Sequence, residues 1–208
     1  MEAAAYWVAL ITVVAVPPVA LFWFIVHPFT RWWRALGPVK AYLILFGVIG
    51  LLMVLMVHFR EPLLHVRFGV SRPLTVLAIL LFATSMAIGV LRTRHLTPAV
   101  LFGLPQLSNR SHPGKLISDG IYAHIRHPRY VQVGLGLIAV ALFANYLATY
   151  VIAAAYVPVV YALALLEERE LRDRFGKEYE QYANRVPRFL PRVKRRQGPS
   201  PQGPFEGP

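Results

Sequence analysis

The sequence predicts an all-α, polytopic membrane bundle of about five transmembrane helices, with amphipathic C-terminal helices on the cytoplasmic side. Three observations carry that expectation. The 208 residues are 56% hydrophobic, with a mean hydropathy of +0.49. Only 15% are charged, where soluble domains carry roughly 25%. The apolar residues are also gathered into five blocks separated by basic connections, and a chain of this length is expected to form one domain.

The first block runs from about Ala3 to Val26, the second from Lys40 to His58 and the third from Pro73 to Leu91. A helix needs about 20 residues to cross the hydrocarbon core, and these three suffice. The fourth, about Tyr130 to Ala144, is short and becomes adequate only if it starts near Arg126. The fifth runs from Leu147 to Leu166. Pro17-Pro18 and Pro158 should kink their helices, which packed neighbours can accommodate. The first block lacks the basic start and cleavage site of a signal peptide. Beyond Leu166, Leu171, Phe175, Tyr179 and Tyr182 recur at helical spacing and form an aromatic face, interrupted near Gly176. Residues 1–191 therefore read as one membrane domain, and 192–208, basic and rich in Gly and Pro, as a disordered tail.

Topology follows from the basic residues. Arg31, Arg34 and Lys40 lie between the first two blocks, and Arg92, Arg94, Arg110, Lys115, Arg126 and Arg129 between the third and fourth. Ten more Lys or Arg follow Leu166, whereas the Asn145-Tyr146 connection has none. The positive-inside rule then places the long loop and tail in the cytoplasm and the hairpin turn and N-terminus outside. Arg60, Arg67 and Arg72 oppose this assignment.

Several function classes fall away. With no cysteine, disulfides, thiolate metal sites and a cysteine nucleophile are excluded. The net charge of +12 is juxtamembrane charge between and after apolar blocks, so no nucleic-acid partner is expected; membrane lipids are. No histidine pair faces another across helices as a haem would require. His124 and His127 lack the further ligands of a metal site, and none is expected. A transporter would show charged or broken helices at midmembrane, of which Pro17-Pro18 is the only hint. A purely structural membrane protein accounts for the hydropathy and leaves the C-terminal motifs unexplained.

Those motifs meet at one end of the fourth and fifth blocks. A hairpin turning at Asn145-Tyr146 sets His127 opposite Leu163 or Ala164, with Glu167 about one helical turn further along. His127, Tyr130 and Gly134 share a helix face. Gly134 and Gly136 admit the close approach of either a second helix or a ligand. Glu168 can pair with Arg172, and Glu170 with Arg174, in the favourable i,i+4 order. Glu167 abuts hydrocarbon, where a carboxylate requires a partner. Arg126 and Arg129 either hold an anionic acceptor or snorkel to lipid phosphates.

Asp119-Gly120-Ile121-Tyr122, Arg126-His127-Pro128-Arg129-Tyr130, Glu167-Glu168, Phe175-Gly176-Lys177-Glu178-Tyr179 with Tyr182, and Arg185-Val186-Pro187 occur in a recognisable order. Over about Ser118 to Pro191 the chain resembles the isoprenylcysteine carboxyl methyltransferase family, in the wider group that includes phospholipid N-methyltransferases. The resemblance implies a multi-pass enzyme that transfers a methyl group from S-adenosylmethionine to a lipophilic small molecule or lipid at the cytoplasmic face. By the same resemblance, His127, Tyr130, Gly134, Gly136, Glu167 and Glu168 would form the cofactor pocket. His127, Arg126 and Arg185 would serve the chemistry, with Arg185 in the segment that closes the site. A phospholipid, or another small lipophilic amine or thiol, is the alternative acceptor.

Two departures stand out. Gln132 occupies a position where members commonly have Gly. Tyr161-Ala162-Leu163-Ala164 stands where eukaryotic members carry basic residues suited to a carboxylate. Only Arg126, Arg129 and Arg185 remain close in the motif order to offset an acidic acceptor.

Overall fold

The computed structural model describes residues 1–26, 30–93 and 116–191. The expectations for the interior of the Arg92–Ser118 loop and for the 192–208 tail fall outside the described residues. Helix α1 (Glu2–Val26) is followed by short α2 (Thr30–Leu36), α3 (Pro38–His58), one-turn α4 (Arg60–Leu63) and α5 (Arg72–Thr93). A 3-10 turn at Gly120–Ala123 leads to α6 (Pro128–Ala144), α7 (Leu147–Phe175) and α8 (Lys177–Arg185). Among the described residues the only β-type contact is one isolated bridge between Arg67 and Tyr146.

Helices α1, α3, α5 and α7 are long and apolar enough to cross a membrane. Helix α6 has 17 residues, which at about 1.5 Å each reaches the lower limit of a span. Helix α7 runs to Phe175 rather than Leu166, so its last turns carry Glu167 and Glu168 out of the apolar stretch without leaving the helix. Both α1 and α7 continue through their internal prolines. Short α2 was not legible in sequence. It places Trp32-Trp33 at the end of α1, where buried Trp33 donates its indole N–H to the Ile25 carbonyl at 3.0 Å. That bond satisfies one of the carbonyls a helix end leaves open.

The order of crossings gives the bundle two distinct ends. At one, the 66–70 loop lies against the α6–α7 turn. Phe68 N donates to Asn145 O at 3.0 Å, and Leu147 N to Val66 O at 3.1 Å. Asn145 takes a left-handed conformation, φ 56°, which Asn tolerates better than most residues. Its amide donates to Gly69 O at 2.6 Å and its Oδ1 accepts from Tyr150 at 2.8 Å. Glu2 joins this end, 3.8 Å from Arg67 and accepting from Val70 N. The N-terminus, the 66–70 loop and the hairpin turn are therefore together, and the α6 start and α7 end lie at the other end.

The site end is positioned by three contacts. Helix α5 packs along α6, α6 and α7 form the hairpin, and α1 touches α6 and α7. Large side chains of α3 and α5, such as Leu43, Phe46, Val54, Ile79 and Phe82, are exposed, as suits helices whose solvent is lipid.

Candidate active site at the mouth of the hairpin

Helix α6 starts at Pro128, whose missing N–H costs nothing at the first helical position. The preceding His127 is the N-cap residue, with no capping bond from its side chain. Its imidazole is thereby left to reach α7. Nδ1 lies 3.5 Å from Glu167 Oε2 and Nε2 3.2 Å from Glu168 Oε1. Successive residues of a helix point about 100° apart, so the two carboxylates diverge and the ring bridges them. Burial alone would pull this imidazole down. Hydrogen bonds to Glu167 and Glu168 outweigh it and hold His127 above its ordinary 6.5.

Glu168 is fully buried and is the hub of the site. Arg188 grips it with two bonds, Nε to Oε1 at 2.8 Å and Nη2 to Oε2 at 3.0 Å. Arg126 stands at 3.3 Å and Arg172 at 3.9 Å. A carboxylate at the edge of hydrocarbon needs such partners. The sequence expectation of a solvated Glu168–Arg172 pair is thus only the weakest of its contacts. Glu167 is different: its side chain keeps 27% exposure, and it accepts from the Tyr130 hydroxyl at 2.5 Å.

The segment after α8 closes the site from the tail side. Val186 is extended and buried, and the next two carbonyls accept from the backbone before α6. Arg126 N donates to Pro187 O at 2.9 Å and His127 N to Arg188 O at 3.0 Å. Tyr182 donates to Tyr122 O at 2.8 Å. The aromatic face expected from spacing forms the local core, with Leu171 and Phe175 against buried Leu116, Tyr179, Tyr182 and Val186. The Tyr179 hydroxyl lies beside the Arg126 guanidinium, yet neither it nor Arg126 Nε completes a hydrogen bond among the described residues.

His127, Arg126, Tyr130, Glu167 and Glu168 are therefore brought together. Arg185 is not. It ends α8 exposed, with Nε donating to its own helix at Gln181 O. Arg188, absent from the sequence expectations, stands in the place they gave to Arg185. The helix ends at Arg185 and the chain turns extended, which redirects the side chain three residues later. Gly134 and Gly136 lie where neighbouring helices come close. A Cβ at Gly134 would lie 3.3 Å from the Tyr156 ring, and one at Gly136 3.4 Å from Ser85 Oγ. Both glycines admit neighbouring helices, and Tyr156 uses the space to donate to Tyr130 O at 3.0 Å.

Tyr161 was also missed as a site residue. It carries the Arg188 guanidinium 5.6 Å above its ring. A usable signal existed, because Tyr161 precedes Glu168 by two helical turns and shares its face. The tail thus lays a guanidinium over Tyr161 while bonding Glu168.

A helical membrane bundle with a buried His–Glu–Arg constellation at one mouth defines the class of protein. A model of the phospholipid methyltransferase family matches residues 73–178, just over half of the chain. The chain belongs to that family, and is an integral membrane protein. The match covers α5, His127 and both glutamates, and ends before Arg185 and Arg188. Protein-S-isoprenylcysteine O-methyltransferase of Schizosaccharomyces pombe is 32% identical over 87 residues, 41% of this chain and 37% of that protein. A cobalt-zinc-cadmium resistance protein of Cupriavidus metallidurans is 32% identical over 148 residues, 64% of this chain and 68% of that protein. Methanethiol S-methyltransferase 1 of Bradyrhizobium diazoefficiens is 35% identical over 98 residues, 44% of this chain and 33% of that protein. The chain thus spans well under half of the two relatives named as methyltransferases. No solved structure matches it.

Proposed function

We propose that the chain transfers the methyl group of S-adenosylmethionine to a lipophilic acceptor at the membrane boundary, with His127, Glu167 and Glu168 at the centre of the site. The observation that carries this reading is the ring of His127 held between two carboxylates at a hydrocarbon edge. The residues fit such a cofactor. Glu167 offers a part-exposed carboxylate to a cation, and the Tyr179 hydroxyl and Arg126 Nε retain hydrogen-bonding capacity. Glu167, Tyr130 and His127 would hold it. Bound there, S-adenosylmethionine supplies an electrophilic methyl group on a sulfonium.

The protein's own part is positioning and charge. Methyl transfer is an in-line displacement, so alignment supplies much of the rate. Glu168, saturated by arginines, fixes His127 and the tail strap. Glu167 sets a negative charge in a partly dry site, where its pull on a cation exceeds that in water. A carboxylate or thiolate acceptor needs no base. An amine would need one, and Glu167 is the part-exposed carboxylate that could take its proton. The test is incubation of the purified chain in detergent with S-[methyl-3H]adenosylmethionine and a membrane lipid extract. Label is expected in the organic phase for the wild type and lost in Glu167→Gln. Label equal in both would refute the assignment.

We place the site end in the cytoplasm. All Lys and Arg except Arg60, Arg67 and Arg72 lie in segments emerging there. Arg60 and Arg67 stand beside Glu61 and Glu2, although acidic neighbours count for little in setting orientation. In sealed vesicles, cysteines at exposed Arg67 and exposed Arg185 should react with an impermeant maleimide from opposite sides. Labelling of both from one side would contradict five crossings.

A further inference from the structure

The end of the bundle away from the candidate active site holds a groove that the proposed chemistry does not use. Val13 and Pro17 of α1, Pro62 and Leu63 of α4, and Leu147 and Val151 of α7 border a space of about 310 Å³. Among the described residues every side chain lining it is apolar. Val13 is buried at its floor, whereas Leu63, Leu147 and Val151 are exposed along its rim. The groove therefore opens sideways to the hydrocarbon. Pro17 has no N–H for the Val13 carbonyl one turn back, and its ring crowds that carbonyl. The turn of α1 that loses this bond is the one that borders the groove. Ile152, the lining residue of α7 closest to the site, lies about 22 Å along the helix from Glu167.

The rim of this groove carries charge. Arg60 starts α4 and shares a face with Leu63, three residues on. Its Nη1 donates to Val57 O at 3.2 Å, and its Nε lies 3.6 Å from exposed Glu61. A guanidinium has five N–H donors, and those on Nη2 stay uncommitted among the described residues. Arg67 follows Val66, whose carbonyl accepts from Leu147 N across the groove, and it reaches Glu2 only at 3.8 Å. With exposed Arg72, this end sets three arginines against the two carboxylates of Glu2 and Glu61. They oppose the positive-inside assignment of this end, so orientation does not account for them.

We propose that the α1–α4–α7 groove holds one acyl chain of an anionic phospholipid in the leaflet opposite the candidate active site, with the lipid phosphate on Arg60. An apolar groove open to lipid beside an exposed guanidinium complements both parts of that molecule. Water does not suit the groove, because apolar walls offer it no hydrogen-bond partners. A neighbouring transmembrane helix is too wide. The groove follows α1 only from Val13 to Pro17, about 6 Å, and a helix with its side chains is about 10–12 Å across. The bound lipid bridges α4 to α1 and α7 and fastens this end of the bundle. The inference is independent of the methyltransferase reading.

The test uses the full chain in a neutral detergent, titrated with radiolabelled dioleoylphosphatidylglycerol. Binding should saturate at one lipid per chain and resist competition by glycerol phosphate, which has the headgroup without the chains. Arg60→Gln, an exposed change that leaves the packing alone, should weaken it about fivefold, the usual contribution of one basic residue beside anionic lipid. Arg60→Lys should retain most of the affinity. Val151→Trp fills the groove from its lipid-facing rim and should weaken binding about tenfold, the value of roughly two buried methylenes. Ile79→Trp, on the exposed face of α5, should leave it unchanged. The lipid should also raise the unfolding midpoint of the wild type and leave that of Val151→Trp where it stands in lipid-free detergent. Equal binding of dioleoylphosphatidylcholine, or unchanged binding in Arg60→Gln, overturns the headgroup assignment. Unchanged binding in Val151→Trp, or displacement by glycerol phosphate, overturns the groove as the place of the chain.

Discussion

Glu168→Gln is expected to destabilise the folded protein by about 3–5 kcal/mol, the usual cost of breaking a buried ion pair from one side. The wild-type carboxylate has no exposure and meets Arg188, Arg126, Arg172 and His127. The amide retains one oxygen and no charge, and leaves the clustered cations repelling one another. The loss should appear as a lower unfolding midpoint in detergent, and the tail strap should become sensitive to protease near Arg188. The double variant Glu168→Gln/Arg188→Met should recover part of the loss, because it removes a cation along with its partner. A single variant as stable as the wild type would mean that Glu168 is not the hub.

Arg188→Ala is expected to weaken S-adenosylhomocysteine binding by about tenfold or more, since charged hydrogen bonds of this kind are each worth roughly 1.5–3 kcal/mol. Arg188 makes two of them to Glu168 and lies over Tyr161. Its loss frees the strap whose carbonyls receive the N–H groups of Arg126 and His127. Arg185→Ala should change affinity less than twofold, within the range of an exposed substitution. The contrast separates the two tail arginines directly. If Arg185→Ala were the damaging change, the closing segment would be placed wrongly.

The fold was legible because lipid imposes simple rules. Each apolar block became a helix, and the aromatic spacing of Leu171, Phe175, Tyr179 and Tyr182 became the local core. The hairpin register was legible too, since a tight turn at Asn145-Tyr146 fixes which residues of α6 and α7 can meet. It brought His127 to Glu167 and Glu168. What escaped were contacts set by changes of backbone direction or by distant elements. Arg188 gained its place through the extended step at Val186, which no helical spacing describes. Arg92 reached Gln132 on α6 because Gly89 made room for that side chain, a fit between two helices that neither local pattern shows. The division between the glutamates was half legible. Glu167 was marked by its contact with hydrocarbon, but the burial of Glu168 depends on a tail brought back across the mouth.

In the proposed enzyme the carboxylate of Glu167 and the ring of His127 hold S-adenosylmethionine. Titration calorimetry of the detergent-solubilised protein with S-adenosylhomocysteine tests it most directly. Binding is expected to be saturable at one site, weakened about tenfold by Glu167→Gln and unaffected by Asp173→Asn on the exposed face of α7. Absence of binding, or equal affinity in the wild type and Glu167→Gln, would contradict it.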